Sequence, residues 1–294
     1  MQTHRLKRTL SRILAVSVLA ILPISAEAHA TKLPLGDGKI SNHPRQGYVF
    51  SCQQRFNPNA RGAHRSGDWI KGAYWYPDLK PEVDGSVGWS GGGVTVRLNG
   101  ALRQITGKGL PEHETGIYPI RRSDDAYYFN RNPNRIRSQR VTLTLPANPE
   151  PAERPSCVPM AMIGVSLTGA TIFNALDAPG RDAVAHEIQD KCNGHPERRG
   201  QYHYHGPSDC MIEEAPGPGG HSGLVGYALD GFGLYGLKGQ GGKALTNADL
   251  DACHGHTGPV NWNGRMQVIY HYHLTEEYPY TIGCFKGQPV RIRR

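Results

Sequence analysis

Hydrophobic and polar positions alternate in several short runs of this chain, a pattern typical of β-strands with one buried face. Residues 94–105 form two such runs joined by Asn99-Gly100, a dipeptide typical of hairpin turns. Two more hairpins are predicted at 162–173 and 224–235, turning at Thr168-Gly169 and Asp230-Gly231. Residues 127–129 and 141–145 are predicted as further strands. The pattern therefore favours a mainly β fold of antiparallel sheets with hairpins.

Two short segments have helical character. A helix over 181–191 is expected to begin at Asp182, and one over 246–252 at Thr246, where Asp249 supplies an approximate capping box. Gly194 and Gly255 follow these segments, where a glycine that ends a helix is expected. The fold class predicted is thus mainly β, or α+β with few short helices.

The C-terminal half contains an internal duplication. Residues 192–195 read Cys-Asn-Gly-His, residues 202–205 read Tyr-His-Tyr-His, and Cys210 follows. The second copy has Cys-His-Gly-His at 253–256, the same tetrapeptide at 270–273, and Cys284. Each copy is preceded by one of the predicted helices. The repeated unit is therefore a short helix, a Cys-x-Gly-His turn, a strand and a closing cysteine.

The spacing of the histidines suggests metal binding. Side chains alternate between the faces of a strand, so Tyr-His-Tyr-His places both histidines on one face and both tyrosines on the other. If the two strands were neighbours, four histidines would share one surface. Histidine-rich, methionine-poor ligation favours copper(II) or zinc. The candidate ligands are His195, His203, His205, His254, His256, His271 and His273.

Three arrangements of these ligands stay open: two mononuclear sites, one dinuclear site, or one site whose remaining histidines orient the ligands. His254 occupies the position of Asn193 in the first copy, and this asymmetry favours one site over two. Glu187, Asp190 and Asp230 are weak candidates for the base of a zinc hydrolase. Their simpler interpretation is a solvated helix face for the first two and a turn residue for Asp230.

The leading functional hypothesis is an exported transition-metal-binding protein, and the metal ion is the only partner predicted. The alternatives are a secreted metallohydrolase with histidine-bound zinc, and a non-catalytic extracellular scaffold or carbohydrate-binding module. The sequence leaves open whether the protein is an enzyme. The net charge of +8 comes from scattered basic residues without an aromatic-interleaved basic stripe, which argues against nucleic-acid binding.

Residues 1–28 have the basic, apolar and small-residue regions of a signal peptide, with cleavage expected after Ala28 or Ala30. Cleavage after Ala28 would leave His29 as the N-terminal residue, whose amine and imidazole could chelate copper. No transmembrane segment is predicted, so a periplasmic or secreted location is expected. Six cysteines then suggest three disulfides. The favoured pairing is Cys52–Cys157, Cys192–Cys210 and Cys253–Cys284, and its rival joins the copies through Cys192–Cys253 and Cys210–Cys284.

After the signal peptide, the chain is divided into a loop-rich extension over 31–89, a β-rich domain over 90–286 and a basic tail over 287–294. The motifs of this domain, including the sequences at 201–205, 221–233, 253–258 and 270–284, resemble those of the YHYH-domain family. These are exported proteins named for the tetrapeptide. The resemblance implies export and one β-rich unit, and it implies no particular activity.

Overall fold

The computed structural model describes residues 31–60, 62–214 and 216–292. The predicted signal peptide, both cleavage positions and His29 lie outside the described residues. Within them, the strands are β1 (Leu33–Pro34), β2 (Ile40–Ser41), β3 (Val49–Phe50), β4 (Ile70–Lys71), β5 (Tyr74–Trp75), β6 (Val94–Asn99), β7 (Leu102–Gly107), β8 (Val141–Pro146), β9 (Met162–Ser166), β10 (Thr171–Phe173), β11 (Gly194–Pro196), β12 (Tyr202–Tyr204), β13 (Leu224–Ala228), β14 (Gly233–Tyr235), β15 (Gly255–Trp262) and β16 (Arg265–His273).

The helices in the described part of the chain are short. The α-helix α1 covers Ala183–His186, and the 3₁₀ helices cover Pro77–Leu79, Asp125–Tyr128, Pro218–Gly220, Gln240–Gly242 and Asn247–Asp249. The mainly β fold class predicted from the sequence is confirmed.

An eight-stranded sheet forms the centre of the fold, in the order β11-β12-β10-β9-β13-β14-β16-β15. Its buried positions include Val165, Ile172 and Leu234, each at most 1% exposed. A three-stranded sheet, β6-β7-β8, packs beside it. Arg103 of β7 reaches across to lie over the rings of Tyr227 and Trp262.

The large sheet consists of two equivalent halves. In the first half, the hairpin β9–β10 leads through α1 to the hairpin β11–β12, and β12 pairs parallel with β10. In the second half, the hairpin β13–β14 leads through the Asn247–Asp249 turn to β15–β16, and β16 pairs parallel with β14. Strands β9 and β13 join the halves in an antiparallel pair centred on Val165 opposite Tyr227. The register places an approximate twofold axis between these two residues, so the duplication includes the preceding hairpins.

The three disulfides follow the favoured pairing, Cys52–Cys157, Cys192–Cys210 and Cys253–Cys284. Two of them close the two copies of the histidine repeat, one in each half of the sheet. This framework is consistent with folding in an oxidising compartment. None of the helices in the described ranges has the length and hydrophobicity needed to cross a membrane.

Several local predictions were wrong. Residues 127–129 belong to a 3₁₀ turn that Asp124 caps by accepting from the amide of Ala126, so they do not form a strand. The helix predicted over 181–191 begins after Asp182 but ends at His186. Gly194 and Gly255 begin strands β11 and β15.

The left-handed positions of the two Cys-x-Gly-His turns are Asn193 and His254, with φ of 55° and 74°. The tight turn therefore falls one residue before the glycine. Asparagine tolerates this region better than most residues, and histidine is also enriched there.

Candidate metal centres

The first histidine cluster lies in the first half of the sheet. His195 of β11 is directly opposite His203 of β12, and His205 follows at the end of that strand. The ligand atoms of these three residues lie within 4.8 Å of one another. Glu187, the residue after α1, completes the group, with its Oε2 atom 2.8 Å from His195 Nε2 and 3.7 Å from His205 Nε2. We call these four residues cluster 1, and all of them are buried.

The second cluster is its counterpart in the other half. His256 of β15 is opposite His271 of β16, and His273 ends that strand. The fourth member is His221, which precedes β13, and the four ligand atoms again lie within 4.8 Å of one another. We call this group cluster 2. Three of its histidines are buried, and His256 is partly exposed.

Hydrogen bonds to the backbone fix the tautomer of five of these histidines. A carbonyl oxygen only accepts, so each Nδ1 atom that contacts one carries the proton, and Nε2 of the neutral ring keeps its lone pair. Nδ1 of His203 donates to Gln201 (3.0 Å), and that of His271 donates to Ile269 (2.9 Å). The remaining bonds join His205 to Asn174, His221 to Ser222, and His273 to Gly236.

The Nε2 atoms consequently face one another inside each cluster. The separations are 3.1 Å for His203 and His205, 3.2 Å for His221 and His271, and 3.1 Å for His256 and His271. In the first two pairs both tautomers are fixed, and two lone pairs at this distance repel unless a cation lies between them. Two nitrogens bound to one tetrahedral zinc at about 2.0–2.1 Å would be about 3.3 Å apart. The spacing therefore fits two ligands of one metal ion.

Buried polar atoms without a hydrogen-bond partner also point to a metal ion in each cluster. His273 Nε2, His195 Nε2 and Glu187 Oε2 have no hydrogen-bond partner among the described residues, although the last two are in ion-pair contact. A buried polar atom left without a partner is costly, and such atoms often mark a missing ion or water. These atoms lie inside the clusters, where a metal ion would satisfy them.

Burial also keeps the imidazole rings of His203, His205 and His271 neutral. It holds the pKa of His203 well below its usual range and lowers that of His205 to about 4 and that of His271 to about 3. Burial opposes ionisation of Glu187, but the adjacent His195 and His205 outweigh it and lower the pKa of the carboxyl to about 2. At neutral pH His203 and His205 are thus neutral imidazoles and Glu187 is a carboxylate, the protonation states that metal binding requires.

The tyrosines of the tetrapeptides lie on the opposite face of the sheet, as the alternation predicts. Tyr202 donates to Asp190 at 2.9 Å, and Tyr270 donates to Asp251 at the same distance. Tyr272 donates to Asp230 at 2.6 Å. Two of the three carboxylates considered as catalytic bases, Asp190 and Asp230, thus lie on the tyrosine face, whereas Glu187 is part of cluster 1.

The structure places six of the seven candidate ligands in the clusters. The exception is His254, whose Nε2 atom is 2.9 Å from the hydroxyl of Thr275. His221 is missing from the predicted ligand set because it has no counterpart in the first repeat. Its only signal in the sequence is its position directly after the Pro-Gly-Pro-Gly-Gly segment at 216–220.

The expectation that the two tetrapeptide strands are neighbours was wrong. Strands β10, β9, β13 and β14 lie between β12 and β16, so the clusters are separated by about 24 Å at the usual strand spacing of about 4.8 Å. This distance excludes a dinuclear site made from both tetrapeptides and leaves two separate clusters of candidate ligands. A third group, His113 with Cys192 and Cys210, has its sulfur atoms in a disulfide and supplies no thiolates.

One known family matches part of the chain. Residues 142–246 match the family described as YHYH protein. The match includes β8 to β14 and cluster 1 and ends before the second tetrapeptide. Searches of curated proteins and of solved structures found no significant match. The resemblance to the YHYH-domain family seen in the sequence is confirmed over residues 142–246.

Proposed function

We propose that this protein is an exported transition-metal-binding protein with one mononuclear site at each histidine cluster, taking zinc or copper(II). The observation that carries this proposal is the orientation of the histidine rings. Their Nδ1 atoms donate to backbone carbonyls, and their Nε2 lone pairs converge inside each cluster. This arrangement fixes the imidazoles for coordination in advance, as orienting hydrogen bonds do in known metal sites. Export is supported by the signal-peptide pattern and by the three disulfides.

Binding is better supported than hydrolysis by the same geometry. A hydrolytic zinc site keeps an open position for water and a nearby base. In cluster 1, Glu187 already occupies the fourth position, and the whole group is buried. Asp190 and Asp230 receive hydrogen bonds from tyrosines on the other face of the sheet. The alternative is a scaffold or carbohydrate-binding role, and metal analysis distinguishes it from metal binding.

The test is metal analysis of protein folded in an oxidising compartment, followed by titration of the metal-free form with Zn²⁺ and Cu²⁺. We expect two ions per chain, and one ion in each of the variants His205→Ala and His273→Ala. The matched control is His254→Asn, because the first repeat has asparagine at this position, and it should retain both ions. Protein that carries no metal and takes up neither ion would refute the proposal and favour the scaffold role.

A further inference from the structure

The two clusters share three equivalent histidines but differ in the fourth side chain. Glu187 lies three residues before Asp190, and the residue at the same offset before Asp251 is Ala248. His221 lies three residues before the first residue of β13, and the matching residue before β9 is Pro159. Neither Ala248 nor Pro159 offers a ligand atom. The duplication therefore supplies three ligands to each half, and each half has its own source for the fourth.

The fourth side chain changes the charge and the donor set. A divalent ion with three neutral imidazoles and one carboxylate has a net charge of +1, whereas the same ion with four imidazoles keeps +2. This difference in net charge matches the difference in burial between the two clusters. Cluster 1 is closed, and a dication there needs a compensating anion, because charge buried without a partner is strongly unfavourable. Cluster 2 is partly open at His256, where water can solvate the remaining charge.

The donor sets also differ in the metals they suit. Tetragonal sites of nitrogen ligands are typical of copper(II), and closed tetrahedral sites are typical of structural zinc. Each cluster has one histidine on an edge strand of the sheet, His195 on β11 and His256 on β15, but only His256 is partly exposed. A ligand can therefore be displaced with less rearrangement at cluster 2. In cluster 1, Glu187 is tied to the fold because its backbone carbonyl accepts from Lys80 at 3.1 Å.

We propose that the two sites divide their metals: cluster 1 is a closed zinc site, and cluster 2 is an exchangeable copper(II) site that gains and loses its ion on the His256 side. This inference rests on the proposed function, since it assumes that both clusters bind metal.

The experiment isolates one site at a time. His205→Ala leaves cluster 2 intact, and His273→Ala leaves cluster 1 intact. Dissociation constants for Zn²⁺ and Cu²⁺ are measured for each variant by competition with a chelator of known affinity. The preference for copper over zinc should be at least about tenfold greater at cluster 2 than at cluster 1, as expected for four nitrogen donors. Chelator should also remove the ion of cluster 2 first.

A matched exchange of the fourth ligand tests the cause. Glu187→His should give cluster 1 the copper preference of cluster 2, and His221→Glu should do the reverse. Far-ultraviolet circular dichroism reports whether each variant folds. If neither does, electron paramagnetic resonance of the wild-type protein with less than one equivalent of Cu²⁺ gives the answer from the number of coupled nitrogens. Four are expected, and three with one oxygen would overturn the assignment.

The outcomes separate the two proposals. Equal copper preference at both clusters, or equal rates of metal loss, overturns the division of metals and leaves two-site binding intact. Failure of the wild-type protein to bind either ion overturns both.

Discussion

At the residue scale, the first tyrosine of each YHYH motif is explained by one of two equivalent aspartates, Asp190 and Asp251. Asp190 accepts from the hydroxyl of Tyr202 and from the amides of Cys192, Gly194 and Gly116 at 2.9–3.3 Å. Asp251 accepts from the hydroxyl of Tyr270 and from the amides that correspond to the first two. Each carboxylate therefore closes the Cys-x-Gly turn and ties it to the tyrosine face of the sheet. The tyrosines fix the strand whose opposite face carries the histidines.

Replacing this carboxylate should reduce stability without removing metal. Asp190→Asn places an amide group among donors, so at least one buried donor loses its acceptor, at a cost of about 1–3 kcal/mol in the free energy of unfolding. Urea denaturation followed by fluorescence measures the change, and metal analysis should still find two ions per chain. Asp209→Asn, at an exposed position, is the control and should change stability by less than about 0.5 kcal/mol. A wild-type unfolding midpoint for Asp190→Asn would contradict this role.

At the scale of elements, the sequence revealed local features and missed long-range ones. The hairpins around Thr168-Gly169 and Asp230-Gly231 depend on a few adjacent residues, and both form where predicted. The alternation within Tyr-His-Tyr-His also correctly separated histidines from tyrosines. The parallel pairing of β12 with β10, by contrast, depends on contacts across about thirty residues that no local pattern encodes. For this reason the sequence predicted six of the histidines that the structure brings into clusters, but it placed the two tetrapeptide strands side by side.

The fourth member of cluster 1, Glu187, also depends on contacts that the local sequence does not reveal. The sequence favours a solvated helix face for Glu187, but α1 ends one residue earlier, and the carboxylate of Glu187 enters cluster 1. The short length of α1 has a visible cause. The half-buried Lys80 extends its ammonium group to the carbonyls of Val184 and Glu187 and to the side chain of Gln189. A cation that binds carbonyls at the end of a helix stabilises that end.

Lys80 should therefore control the affinity of cluster 1. Its enclosure lowers the pKa of the ammonium to about 8, against the attraction of Asp182 and Glu187, so it is charged at pH 7. Lys80→Met leaves two carbonyls, one of them that of Glu187, and an amide oxygen without their donor. We expect zinc affinity at cluster 1 to fall about 10–100-fold, as when a group that orients a ligand is lost. The measurement is zinc titration of Lys80→Met combined with His273→Ala.

The control for this prediction is Lys191→Met. Lys191 is an exposed lysine whose ion pair with Glu114 is 3.4 Å long, and such pairs contribute at most about 1 kcal/mol. Zinc affinity at cluster 1 should be unchanged in this variant. Equal affinity in Lys80→Met and the wild type would show that Glu187 is held by other contacts.

At the scale of the whole molecule, both histidine clusters are part of one folding unit, because the β9–β13 pair joins the two halves into a single sheet. Metal binding and protonation therefore act on the same unfolding equilibrium. An ion present at about 100 times its dissociation constant adds about 2.7 kcal/mol per site to the free energy of unfolding. The neutral buried histidines make the metal-free protein sensitive to acid as well.

The metal-free protein should lose stability as the pH falls below about 6.5. Unfolded histidines bind protons near pH 6.5, whereas burial lowers the pKa of His205 to about 4 and of His271 to about 3. Between these values the unfolded chain binds more protons than the native state, so each such histidine lowers the free energy of unfolding by about 1.4 kcal/mol per pH unit. Thermal melts from pH 7 to 5 measure how steeply the free energy of unfolding depends on pH. His271→Gln should reduce this slope by the contribution of one histidine.

Zinc-loaded protein should show a smaller slope for as long as the metal stays bound, because coordinated Nε2 atoms cannot accept protons. Equal slopes with and without zinc would mean that these histidines do not hold the metal.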